Sequence, residues 1–339
     1  MVTPNNMMPK HGVLLINLGT PTHPGIGAVG RYLIEFLSDK RVITLPAWAR
    51  FMLLYGLILP FRIKQATHAY RSIWSTNGSP LLQHSEALAQ CLQERLGAPY
   101  QVALGMRYGK PRLQDALQEL SACSTITVLP LYPQYASSST GSALEVVLNG
   151  LAKQTTIPRL HIIHDFYAHP RFIDAEAILI KPHLAHHDYV LFSYHGLPEH
   201  HVHQEGCQPI CKGPCLSSST TRPTCYRAQC FETSRLLATR LALSPDQYGT
   251  VFQSRLGKSP WIKPYIHETL PILYQRGIRR LAIACPSFVA DCLETLEEIG
   301  IKLKQQWCDL GGGHFTLIPS LNTTDPWIEA LMKIIHEPF

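Results

Sequence analysis

Short apolar runs alternate with stretches of helical periodicity along most of this chain, and that alternation restricts it to a few architectures. Strands are predicted at residues 12–19, 100–105, 125–130, 159–165, 188–194, 248–254, 279–284 and 314–319. Helices are predicted between them, at 27–37, 81–96, 112–120, 142–153, 172–186, 226–243, 263–275 and 290–305. Such an order implies parallel sheets covered on both faces. Eight strands in 339 residues divide into two similar open lobes of four strands each. A closed eight-stranded barrel has the same count, but the break at 167–171 and an insert after His195 disturb an eightfold rhythm. The expected division is 10–168 and 169–320, with 321–339 a last helix packing back on the body.

Composition narrows the classes further. Apolar residues make up 45% and charged residues 16%, against about 25% charged in ordinary domains, which excludes a disordered chain. The net charge of +6 is spread without Lys/Arg blocks, so nucleic acid is not an expected partner. It suits an anionic small substrate or a membrane surface. No positive segment followed by an apolar run opens the chain, and a cytoplasmic location is expected. Residues 45–63, LPAWARFMLLYGLILPFRI, are strongly apolar but interrupted by Arg50 and Pro60. A span needs about 20 apolar residues, so this segment reads as an interfacial helix or as a buried one.

In open parallel sheets, ligands bind beyond the carboxyl ends of the strands. His195 stands there, where FSYHGLP leaves the fifth strand, and can accept a proton near neutral pH or bind a metal. After the seventh strand, Asp291, Glu294 and Glu298 share one stripe at about 100° per residue, and Glu297 points away. One His and a carboxylate row can hold a divalent cation or relay protons. The small hydroxylated tract at 135–142 suits helix capping better than an anion cradle. The run Glu199-His-His-Val-His203 reads as a solvated loop rather than a metal-loading tract. Cys207, Cys211, Cys215, Cys225 and Cys230 crowd one insert with the spacing C-x3-C-x3-C-x9-C-x4-C, which suits zinc in part and an iron–sulfur cluster more loosely. No dinucleotide fingerprint or P-loop stands anywhere, which counts against a nucleotide-dependent oxidoreductase.

Seven phrases in order, LLINLGTP, YLIEFLSDKRVITLP, GMRYGKP, LPLYPQYASSSTGS, FSYHGLPE, VFQSRLGKSPWIKP and CPSFVADCLETLEEIG, resemble ferrochelatases over nearly the whole chain. The resemblance implies two Rossmann-like lobes with a porphyrin between them, and insertion of Fe2+ into protoporphyrin IX with release of two protons. This is a lyase activity in haem synthesis. It makes His195 catalytic, Glu294 its partner across the cleft and Glu298 the continuation of a proton path, with His195 and Glu294 facing the substrate iron. Met106, Arg107, Tyr108 and Trp261 match pocket-lining positions. Cys207, Cys211, Cys215 and Cys225 become ligands of a 2Fe-2S cluster, with Cys230 the alternate and zinc the competing metal. Residues 48–61 become a lip that collects porphyrin at the inner face of the membrane, where the preceding porphyrinogen oxidase is an expected contact. Coproporphyrin III as substrate, a sirohydrochlorin chelatase and a non-catalytic haem carrier are the rival readings.

Overall fold

The computed structural model describes residues 11–204, 207, 210–211, 224–255, 257 and 259–337. Its first sheet contains β1 (His11–Thr20), β2 (Tyr100–Gly109), β3 (Thr125–Pro130) and β4 (Arg159–Ile162), ordered β2-β1-β3-β4. The second contains β5 (Tyr189–His195), β6 (Tyr248–Gln253), β7 (Leu281–Ala284) and β8 (Phe315–Leu317), ordered β6-β5-β7-β8. Every pairing is parallel. The same order occurs twice, so the molecule has two open sheets rather than one barrel.

The central strands β1 and β5 are apolar and buried on both faces, as parallel strands flanked by helices must be. β2 runs beyond its predicted end, because Met106 and Tyr108 pair with Asn17 and Gly19 on β1. Gly19 has φ +107°, and a β-carbon there would lie 1.7 Å from the Tyr108 carbonyl oxygen, so only glycine permits this close pairing.

One apolar core joins the two sheets. Val13 and Leu15 of β1, Val190 and Phe192 of β5, Phe172 and Trp327 belong to the same buried cluster. Trp327 sits on the last helix, Asp325–His336, with its ring 5.7 Å from Phe166 and 6.0 Å from Phe172. Burying side chains of this size stabilises the fold by about 1.5–3 kcal/mol each. Polar ties cross as well: the Tyr135 N–H donates to Gln229 Oε1 at 2.6 Å, and Gln134 Nε2 donates to Thr233 Oγ1 at 3.1 Å.

The apolar segment is a continuous helical run: a helix at Ala47–Leu53, a wide π-helical turn at Leu54–Ile58 and a helix at Leu59–Ile73. Pro60 does not end the helix, because the wide turn before it absorbs the lost backbone donor. Trp48 is 74% exposed and Phe61 73%, and Phe51, Met52 and Leu57 are exposed beside them. Leu54 is buried. Among the described residues, no helix is long and apolar enough to cross a membrane.

Candidate active site

A cavity of about 1060 Å³ lies at the carboxyl ends of both sheets. Asn17 and Tyr132 reach it from the first sheet, and His195, Ser254 and Ser287 from the second. Leu53, Leu57 and Phe61 of the apolar helices also line it, so one helical run offers one face to the cavity and another outward.

His195 is the last residue of β5 and half-buried. Its Nδ1 lies 2.6 Å from the Gly196 carbonyl oxygen. A carbonyl only accepts, so Nδ1 carries the proton and Nε2 keeps the lone pair. The backbone is held on both sides: the His195 N–H donates to Ser287 Oγ at 3.2 Å, and the Tyr226 hydroxyl donates to the His195 carbonyl at 2.7 Å. Trp261 and Phe288 stand 6.4 and 6.3 Å from the imidazole, centroid to centroid.

The carboxylates come from the wide π-helix Glu294–Leu303. Glu294, Glu297, Glu298 and Lys302 all line the cavity. This corrects the expectation for Glu297. At α-helical pitch residues 297 and 302 point about 140° apart. Bonding over five residues brings them together, and Lys302 Nζ pairs with Glu297 Oε1 at 2.8 Å. Asp291 leaves the stripe altogether, because it precedes the helix. Its carboxylate accepts from Thr295 Oγ1 at 3.0 Å and Asn322 Nδ2 at 2.8 Å, which ties the loop after β7.

Glu298 is held by three donors: the Ser254 N–H at 2.7 Å, the Ser254 hydroxyl at 2.6 Å and Gln253 Nε2 at 3.3 Å. Ser254 has φ +65°, a left-handed conformation costly for a non-glycine residue, and that turn aims both of its donors at one carboxylate. Buried Gln253 also donates to the Glu294 carbonyl at 2.8 Å and accepts from Ser193 Oγ at 2.7 Å. It thereby links β5 to the wide helix. Gln253 and Ser254 carry no charge, and nothing in their residue types singles them out in the sequence.

Around Glu294, the first sheet's helices contribute Tyr32 and Tyr70. Burial pushes both hydroxyls far above their ordinary range, and the neighbouring Glu294 charge adds to it. The Cys292 thiol is raised by burial and by the same carboxylate.

Three expected pocket residues sit elsewhere. Met106, Arg107 and Tyr108 belong to β2 rather than to a loop after it, so pairing with β1 keeps them out of the cavity lining. Arg107 donates to Asp39 Oδ2 at 2.5 Å and to Ser142 Oγ at 2.6 Å, and the Tyr108 hydroxyl donates to Asp39 at 2.9 Å. Burial opposes ionisation of Asp39, but the bonds from Ser142, the Arg41 N–H and Tyr108, with the Arg107 charge, hold its carboxyl below the usual range. Ser142 therefore serves this buried cluster, and the 135–142 tract makes no side-chain helix cap. Trp261 does line the cavity.

The histidine run is not a solvated loop. His200 and His201 line the cavity, and the buried His201 is depressed to about 4 by burial and by adjacent His200. In the cysteine insert, Cys207 and Cys225 are buried, Cys211 is half-buried, and Cys230 is fully buried on the helix Tyr226–Arg240. Cys215 lies outside the described residues. Among the described residues, no three Cys, His, Asp or Glu side chains gather to hold a metal ion.

Comparison with known proteins follows the same lines. The ferrochelatase family model matches residues 10–338. The ferrochelatase of Legionella pneumophila strain Lens is 52% identical over 330 residues, covering 97% of this chain and 100% of that one. The Coxiella burnetii strain CbuG_Q212 ferrochelatase is 49% identical over 332 residues, covering 96% and 93%. Among solved structures, SirB from Bacillus subtilis with Fe3+ has a TM-score of 0.56 at 11% identity, covering 97% of this chain and 95% of that one. The sirohydrochlorin chelatase SirB from subspecies spizizenii, in complex with cobalt, has a TM-score of 0.54 at 10% identity, covering 97% and 94%. These two likenesses carry the two-lobed fold, and the sequence matches carry the rest: this chain belongs to the ferrochelatase family.

Proposed function

We propose that this porphyrin metal chelatase of haem biosynthesis inserts ferrous iron into protoporphyrin IX in the cavity between its two sheets. The observation that carries this reading is that His195, Glu294 and Glu298 line one cavity large enough for a flat macrocycle. Two pyrrole N–H protons must leave as iron forms bonds to the ring nitrogens. His195 Nε2 accepts them one at a time, releasing each before it takes the next. Its own Nδ1–H stays on the Gly196 carbonyl, so the ring keeps the tautomer that a base needs. Glu294, one helical turn before Glu298, takes protons onward, and Ser254 and Gln253 hold Glu298 in place as the next station. Trp261 and Phe288 give the macrocycle apolar surface, whose binding offsets the strain of bending it.

Leu57 and Phe61 line the cavity while Trp48 and Phe51 face outward, which supports collection of the porphyrin from the membrane's inner face by peripheral attachment. The preceding porphyrinogen oxidase is the partner this placement suits.

His195→Ala is expected to lower anaerobic metallation by about 10²–10⁴-fold while porphyrin binding, read by fluorescence quenching, is kept. Glu294→Gln is expected to show a comparable loss. Wild-type turnover in either variant overturns that residue's role.

The cysteine insert is a separate matter. We propose a 2Fe-2S cluster on Cys207, Cys211, Cys215 and Cys225, with Cys230 as substitute and zinc as the competing metal. The thiol spacing and the burial of Cys207 and Cys225 support it, although the described thiols do not by themselves complete a shell. No catalytic step runs through it. Protein purified without oxygen is expected to be red-brown, with equal iron and acid-labile sulfide. Colourless protein with one zinc rejects the cluster, and a metal-free insert rejects both.

A further inference from the structure

The second sheet has its own cluster of donors at the end opposite the cavity. His187 precedes β5 and His314 precedes β8, so both lie at the amino edge of the parallel second sheet, opposite the end where His195 meets the cavity. His187 Nδ1 lies 2.5 Å from the His183 carbonyl oxygen, which fixes the proton there and leaves Nε2 with a lone pair. That Nε2 is 3.1 Å from His314 Nδ1 and 3.0 Å from Thr316 Oγ1, and the Thr316 oxygen is 3.4 Å from His314 Nδ1. Three donor atoms from two segments therefore form one small triangle.

We propose that His187 Nε2 and His314 Nδ1 chelate a borderline divalent transition ion of the Zn2+ or Ni2+ class, with the Thr316 hydroxyl beside it. With metal–nitrogen bonds of about 2.0–2.1 Å, nitrogens 3.1 Å apart subtend about 100° at the ion, between octahedral and tetrahedral values. The His183 carbonyl plays the part that orients a ligating imidazole, accepting its other N–H. Neutral imidazole pairs suit zinc, nickel and copper, whereas calcium and magnesium prefer oxygen. Among the described residues no third Cys, His, Asp or Glu completes the group, so water fills the remaining positions and the ion exchanges with solution. The ion clips the short edge strand β8 to the turn between the helix Pro170–Leu184 and β5. The site is separate from the cavity and does not depend on the proposed chemistry there.

Calorimetric titration of the whole protein with Ni2+ tests the site, comparing wild type with His314→Ala and His187→Ala. His314 is exposed, so its variant keeps the fold, checked by circular dichroism and an unchanged metallation rate. Wild type is expected to bind one more Ni2+ than His314→Ala, and Ni2+ is expected to raise the wild-type Tm more than the variant's. Should His187→Ala fail to fold, His314→Gln gives the second reading and is expected to lose the same equivalent. Equal stoichiometry in wild type and His314→Ala overturns the proposal and leaves an imidazole–imidazole hydrogen bond.

Discussion

His195, Glu294 and Glu298 drew attention in the sequence because they follow strand ends, and the structure brings all three to one cavity. Gln253, Ser254 and Ser287 did not stand out, since their value lies in backbone geometry: a left-handed turn at Ser254 and a bridge from β5 to the helix. Another hidden group is Glu176, buried on the helix Pro170–Leu184, whose carboxyl is raised from 4.5 to about 8 by burial. The fold therefore prefers it protonated. Its contribution is most favourable below pH about 4.5 and is lost as pH rises through about 8. Glu176→Gln is expected to gain thermal stability relative to wild type as pH goes from 5 to 8.5, and a constant difference in Tm contradicts this. At Ser254, the Gly variant relieves the strained φ that the Ala variant keeps, while both lose the hydroxyl bond to Glu298. Ser254→Gly is expected to be more stable than Ser254→Ala by about 0.5–1 kcal/mol in denaturant unfolding.

At the scale of elements, periodicity placed all eight strands and misjudged the helix that matters most. An α-helical wheel assumes about 100° per residue, and the wide helix Glu294–Leu303 departs from it. Glu297 was therefore read as facing away from the row it joins, where it pairs with Lys302. Met106–Tyr108 were expected just beyond the second strand and lie within it, because a strand's length is set by its partner: β1 continues to Thr20 and carries β2 with it. From composition the apolar segment read as either an interfacial or a buried helix, and the structure leaves Trp48, Phe51 and Met52 exposed while Leu54 is buried. Serine at Trp48, Phe51 and Met52 is expected to shift the protein from anionic vesicles to the supernatant in a sedimentation assay. Leu54 is buried, and serine there tests stability instead. Unchanged sedimentation of the triple variant contradicts peripheral attachment.

The whole molecule uses one strand order twice, so both lobes present their strand ends to one cavity, and the last helix, with Trp327 in the common core, fixes them together. That two-lobed plan was legible from alternation together with the break at 167–171 and the insert after His195, whereas the shared core was not, because apolar residues in sequence do not say which lobe they serve. A cavity lined by apolar helices that also gathers His195, Glu294 and Glu298 is consistent with the proposed flat, poorly soluble, anionic macrocycle. The basic balance of the chain, +6, suits its propionates. The most direct test is the initial rate of metalloporphyrin formation by purified protein, with ferrous iron under anaerobic conditions and protoporphyrin IX or coproporphyrin III in parallel. The account predicts rapid appearance of protohaem absorbance, abolished by His195→Ala, with protoporphyrin IX preferred in kcat/KM. Faster turnover of coproporphyrin III, or stoichiometric porphyrin binding with no metallation, would contradict it.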